Sequence, residues 1–353
     1  MSIARPTTRL CVLILAHAPA LRGQAGPPSD RLSAADKSQL ERILHLKELL
    51  GDEVWPAFGE ADIPLILYNS SHEFLLGLAG AGAPWTVVEG DSFQGAVYLR
   101  RAAKNPQSFA VRVAEEWAGS IESLTAMKAK MAAQVADKVP APLRAVVQSQ
   151  MLALSPEQHA AYALHETFHA FQAMACPARF AAAQGVYRSE KSYPFADERF
   201  AAQWNEEGCC LAAALAAADA AARSAAIARF LDLRDARRRS AALSAEHLAF
   251  ERQLEWLEGL GHYVELRIAQ LADAATLDPA LGSYRSVRAR GEGDLALRLR
   301  QLGSLAGDLR FYLSGTAQAR LLDGQDPGWK STVMDDGVFL EDLLAHTLAP
   351  REK

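Results

Sequence analysis

The run His165-Glu166-Thr167-Phe168-His169 holds the residue types in this chain best suited to chemistry. Two histidines four residues apart on a helix project from one face, one turn apart, at a distance that can bracket a single zinc ion. Glu166, next to the first of them, would extend beside the ion's open position. There it could take a proton from a water made acidic by the ion and pass it to a leaving group. With nine histidines in 353 residues, chance gives such a pattern in roughly one or two sequences per hundred. The context strengthens it. Ser155-Pro156-Glu157 supplies an N-cap, a proline in the first helical position and an acid in the first turn. Leu164, Phe168 and Phe171 can pack the other side of that helix. The competing reading is a pair of surface or core histidines without metal.

A catalytic zinc needs a third protein ligand. No histidine follows within residues 170–174, so a carboxylate from another helix is expected. Two stretches compete, Glu206-Glu207 and the longer-spaced Glu258. Gly259 and Gly261 beside Glu258 would let another backbone come close. Glu251, Glu255, Glu258, His262 and Glu265 share an arc of roughly 80° on their helix; the competing reading is a solvated polar face, equally open for Glu251, whereas Glu265 and His262 could orient the ligand. Glu207 is followed by Cys209, Cys210, Leu211 and alanines, which suggests a buried helix; it could instead orient a ligand imidazole. For the oxyanion of a tetrahedral intermediate the candidates are Tyr312, His262 and Tyr263, each also readable as packing. Tyr312 is preferred, because Phe311 to Gly315 breaks the helical pattern. His72, His159, His247 and His346 read as structural.

The first motif followed by Glu258-Gly259-Leu260-Gly261-His262-Tyr263 resembles the gluzincin peptidases, many of which carry Glu-Gly-Leu-Ala-x-Tyr and use its Glu as the third zinc ligand. Gly261 stands where Ala is usual. The resemblance implies a zincin-like fold, zinc held by His165, His169 and Glu258, and Glu166 as general base. Residues from Tyr68 to Leu322 also resemble a group of exported bacterial proteins of unestablished function. The matching positions are Glu207, Arg234 to Arg238 and Tyr312-Leu313-Ser314-Gly315. This second likeness implies a fold and a metal, not a substrate.

These residues must be positioned by an α+β, predominantly helical fold. Lys37 to Leu50 has helical periodicity closed by Gly51. Pro64 to Tyr68 is an apolar run, Trp85 to Glu89 and Gly95 to Arg100 read as two strands, and Phe109, Val111 and Val113 alternate with their neighbours. A small N-terminal antiparallel sheet, within about residues 60–120, is expected to pack on the motif helix. Its edge strand could align an extended substrate by backbone pairing. From about residue 125 the pattern is helical, with helices near 201–218, 221–240 and 246–271. The basic run Arg234 to Arg239 reads as a solvated helix face or turn rather than a polyanion site. The net charge of −5 carries no excess of Lys and Arg, so nucleic acid is not expected as a partner.

Residues 1–25 read as an export signal: Arg5 and Arg9, the apolar Leu10 to Ala16, then the small residues Gly23 and Ala25. The alternative is a buried N-terminal strand. The apolar stretch is too short to span a bilayer, so no stable membrane insertion is expected after cleavage. Residues 26–35 read as a linker and residues 36–353 as one domain. Export to a periplasmic or secreted location would allow one disulfide, Cys176 with Cys209 or Cys210; the alternative is three small buried residues. The expected activity is zinc-assisted hydrolysis of an amide, foremost in a peptide or protein substrate. The alternatives are a zinc amidase acting on non-peptide bonds and an exported zinc-binding protein that cleaves nothing.

Overall fold

The computed structural model describes residues 29–140, 143–144 and 154–348; the expected export signal lies outside them. The fold is α+β and mainly helical. Where one domain is expected from residue 36 onward, the chain divides into two compact units. Of the described residues, one takes those up to 52, within 57–171 and 275–284; the other takes 53–56, 172–274 and those from 285 to 348. Both are built from discontinuous stretches, which periodicity along a chain does not reveal.

Helix α1 (Ala34–Val54), in the first unit as far as Asp52, starts at a reciprocal cap. The Ser33 N–H donates to Asp36 Oδ2 at 3.0 Å, and the Asp36 N–H donates to Ser33 Oγ at 3.1 Å. The helix does not stop at Gly51. A Cβ at Gly51 would lie 2.5 Å from the Gly59 Cα, so that glycine serves close approach rather than termination. Part of the expected linker is tied down: Leu32 is buried, and its N–H donates to the Tyr98 hydroxyl at 3.0 Å.

The sheet has six strands: β1 (Leu65–Tyr68), β2 (His72–Leu76), β3 (Thr86–Val87), β4 (Leu99–Ala102), β5 (Phe109–Val113) and β6 (Glu116–Glu122), in the order β3-β4-β2-β1-β6-β5. It is mixed, not antiparallel as expected. β1 runs parallel to β6, with Leu65 opposite Gly119 and Tyr68 opposite Glu122. That pairing joins strands far apart in the chain and leaves no local signal. β6 also escapes the alternating pattern because it is buried from Ala118 to Glu122 and contains Gly119.

Helix α2 (Leu124–Lys138) is capped by Ser123, whose Oγ accepts from the Ala126 N–H at 3.2 Å. Helix α3 (Pro156–Ala175) carries the run His165 to His169 and starts at the expected cap, with Ser155 Oγ accepting from the Gln158 N–H at 3.1 Å. The sheet lies directly on α3. A Cβ on Gly119 would sit 2.9 Å from the Thr167 Cα. Ala118 points the opposite way, into a core with Ile66, Leu75, Trp85 and Val113. Phe58 packs edge-on against Phe168 and Phe171. The buried His159 ties α3 to the sheet: Nε2–H donates to the Glu122 carbonyl at 2.8 Å, and Nδ1 accepts from Gln39 Nε2 at 3.1 Å. Burial pushes its pKa down to about 4.

The second unit is helical throughout. After α4 (Pro177–Gly185) and a 3-10 segment (Val186–Ser192) come α5 (Glu198–Ala216) and α6 (Ala220–Ser240), packed as a hairpin. Asp197 and Asp219 cap them, accepting from the N–H of Phe200 at 2.7 Å and of Ala222 at 2.8 Å. Helix α7 (Ala245–Leu254) passes through a π-turn (Glu255–Gly259) into α8 (Leu260–Ala274). Then follow α9 (Arg285–Leu299), α10 (Leu309–Asp323), α11 (Trp329–Thr332) and α12 (Leu340–Leu348). α10 is buried along most of its length and packs on the π-turn, α5, α8 and α12. Cys176, Cys209 and Cys210 are free thiols and none is fully buried, so neither the disulfide nor the buried alternative holds. No helix among the described residues is long and apolar enough to cross a membrane.

Candidate metal centre

His165 and His169 do converge. Their Nε2 atoms lie 3.0 Å apart, and both side chains are buried, at 1 % and 0 % exposure. Two imidazoles on one tetrahedral zinc, at the usual Zn–N distance, would hold their nitrogens roughly 3.3 Å apart. The pair therefore fits that donor set. At this separation only one Nε2 can carry a hydrogen, and the other turns its lone pair inward. The Phe109 ring of β5 lies against His169, centroid to centroid 4.5 Å. The edge strand of the sheet thus borders the motif. β5 pairs with β6, and no other strand among the described residues lies on its far side. Glu166 is buried. Its charge reaches Tyr68, whose hydroxyl is pushed up by burial first, then by Glu122 and less by Glu166. The Tyr68 and Ser108 hydroxyls are 3.0 Å apart.

Glu258 lies in the π-turn and is 3 % exposed. Tyr187 donates its hydroxyl to Glu258 Oε1 at 2.8 Å and lies 3.3 Å from Asp308 Oδ2. Tyr312 also faces Glu258. Burial pushes the Tyr312 hydroxyl well up, and the charges of Glu258 and Asp308 add to this, so it stays a protonated donor. Glu258 and Tyr312 are thus brought together. Phe311 to Gly315, expected to break the helical pattern, lies inside α10; burial of Phe311 and of Leu313 to Gly315 overrides the weak local propensity of its Phe, Tyr, Ser and Gly. Tyr263 is spent elsewhere, donating to both Asp323 oxygens at 2.9 Å. His262 Nδ1 lies 3.1 Å from Glu265 Oε2. Tyr187 and Asp308 were not legible as partners of Glu258, since nothing in their spacing marks them.

The acidic stripe is not a solvated face over Glu251, Glu255 and Glu258, all buried. Nor is the basic run. Arg234 and Arg237, one turn apart on α6, are 1 % and 0 % exposed, whereas Asp235 and Arg239 face solvent. Arg234 donates from Nη1 and Nη2 to the two oxygens of Glu255 at 2.8 and 2.6 Å, to Glu341 at 2.8 Å, and from Nε to Glu207 at 3.1 Å. Arg237 holds the other oxygen of Glu207 and reaches Glu251 at 2.6 Å. Arg238 joins Glu251 and Glu341, each at 2.8 Å. Burial works against ionising Glu341, but Arg234 and Arg238 outweigh it and hold its carboxyl down at about 2. Both Glu207 oxygens are therefore engaged by arginine, which disfavours Glu207 as a metal ligand, and Glu206 beside it is exposed. No protein family, curated protein or solved structure matches the chain.

Proposed function

We propose that this chain is a zinc-dependent hydrolase of amide bonds, acting on a peptide or protein. His165, His169 and Glu258 would be its zinc ligands, and Glu166 its general base. The observation that carries the reading is the 3.0 Å convergence of two buried imidazoles on one helix, with an adjoining buried carboxylate. Glu258 as third ligand rests on the likeness to the gluzincins. It is supported by two tyrosine hydroxyls facing that carboxylate, the kind of partners that orient a ligand, and by its place in a π-turn, a feature frequent at functional sites. Helix α3 passes from the first unit to the second after Phe171. On its last turn Gln172 donates to the carbonyl of Trp256 at 3.0 Å.

Zinc, when bound, would acidify a water and polarise the scissile carbonyl. Glu166 would take a proton from the attacking water and deliver it to the leaving nitrogen as the C–N bond breaks. The Tyr312 hydroxyl would donate to the oxyanion. The open edge of β5, beside His169 through Phe109, suits an extended peptide backbone. A zincin-like fold is supported by the small sheet lying on the motif helix at Gly119 and Thr167. Export, with removal of residues 1–25, completes the proposal.

Elemental analysis of protein purified without added metal, followed by a cleavage profile on a mixed peptide library, tests it. One zinc per chain with peptide turnover is expected. Absence of a bound transition metal would refute the central assignment. Zinc with turnover of non-peptide amides alone would move the substrate class, and zinc with no turnover would leave a binding protein.

A further inference from the structure

We propose that Arg234 is a positioning residue for the metal centre: through Glu255 and Ser314 it locks the π-turn that carries Glu258 to the helix that carries Tyr312. The proposal rests on the reading of Glu258 as a zinc ligand.

Glu255 is the first residue of the π-turn, three before Glu258. Arg234 grips both its oxygens, and the same Nη2 donates to Ser314 Oγ at 3.0 Å. Ser314 Oγ in turn donates to Glu255 Oε1. Ser314 is on α10, two residues after Tyr312. One guanidinium thus bonds a side chain from each of the two elements, and those side chains bond each other.

The backbones beneath need such a lock. A Cβ on Gly259 would lie 2.6 Å from the Gly315 Cα, and one on Gly315 would lie 2.9 Å from the Gly259 Cα. Two facing glycines allow close approach but interpose no side chain to fix the register of π-turn and helix. Thr316 Oγ1 lies 3.1 Å from the Gly259 carbonyl but closer, at 2.7 Å, to the Tyr312 carbonyl of its own helix. Stability alone gives little reason for this cluster, because buried ion pairs are often replaceable by apolar packing at no net loss, and fixing register is their best-attested use. Arg237 supplies an internal contrast. It is as deeply buried and pairs with two carboxylates, but these are Glu251 on α7 and Glu207 on α5, the latter shared with Arg234, and it touches neither Glu255 nor Ser314.

Arg234→Lys, Ser314→Ala and Arg237→Lys would be compared with the wild type, each alone and on a Glu258→Ala background. The readouts are zinc affinity by chelator competition at fixed pH, the visible spectrum of the Co2+-loaded protein, and urea denaturation. Arg234→Lys and Ser314→Ala should each weaken zinc about tenfold, the low end for changes that disturb how a ligand is held, and alter the Co2+ spectrum. Arg237→Lys should lower stability while leaving affinity and spectrum as in the wild type. On Glu258→Ala, neither Arg234→Lys nor Ser314→Ala should weaken zinc further. If Arg234→Lys does not fold, Ser314→Ala decides alone. Wild-type zinc binding by Ser314→Ala, or an equal loss in Arg237→Lys, overturns the positioning role while Glu258 stands. Undiminished affinity in Glu258→Ala alone overturns the ligand assignment, and the positioning role with it.

Discussion

The Tyr187 hydroxyl donates to Glu258 Oε1 at 2.8 Å, joining the 3-10 segment after α4 to the π-turn. A carboxylate with one oxygen held this way presents the other in a fixed direction. Tyr187→Phe removes only the hydroxyl. Zinc affinity should fall ~10- to 100-fold, the usual cost of losing a partner that orients a ligand, and stability should change by about 1 kcal/mol. Chelator competition and urea denaturation measure the two. Unchanged affinity would mean that this bond does not hold a ligand.

Glu166 and Glu258 should separate cleanly. Glu166→Gln keeps shape but cannot accept a proton, so zinc and fold should persist while turnover of a cleaved peptide drops at least ~100-fold. Retained turnover would refute the general-base role.

Glu207→Ala and Glu258→Ala test the third ligand from both sides. Glu207→Ala strips a buried partner from Arg234 and Arg237 and should cost ~3–5 kcal/mol of stability. In the fraction that folds, zinc binding should be nearly intact. Glu258→Ala should do the reverse, releasing zinc with a smaller effect on denaturation. Metal loss in Glu207→Ala with retention in Glu258→Ala would reverse the assignment.

His159 should make metal-free protein acid-sensitive. Its folded pKa, about 4, lies below the ordinary 6.5, so between those values the unfolded chain binds the extra proton. The neutral form's contribution is complete above pH 6.5 and is lost as pH falls toward 4, by about 3 kcal/mol. Burial is the main cause; the Glu122 carbonyl, Asp36 and Lys128 are the neighbours that modulate it. His159→Gln removes the titrating group. Its stability, measured by urea denaturation from pH 7 to 4, should fall by about 3 kcal/mol less than that of the wild type. Parallel profiles would refute the assignment.

The convergence of His165 and His169 was legible because it is local. Two imidazoles and a carboxylate within one turn need only a helix, and Ser155, Pro156 and the break at Cys176-Pro177 mark its ends at Pro156 and Ala175. The helical character beyond residue 125 followed from leucine and alanine spacing for the same reason. The basic run was misread as solvated because a helix face is classified by what it meets. Arg234 meets Glu207, Glu255, Glu341 and Ser314, which lie 27, 21, 107 and 80 residues away. Likewise β1 finds β6 across most of the sheet's sequence, and Tyr312 is helical because the residues on either side of it, Phe311 and Leu313 to Gly315, are buried. Residue spacing determines which side chains share a turn. Burial, charge pairing and strand direction depend on chain segments far apart in sequence, so only tertiary structure could decide that Glu207 serves two arginines and that Glu258 faces two tyrosines.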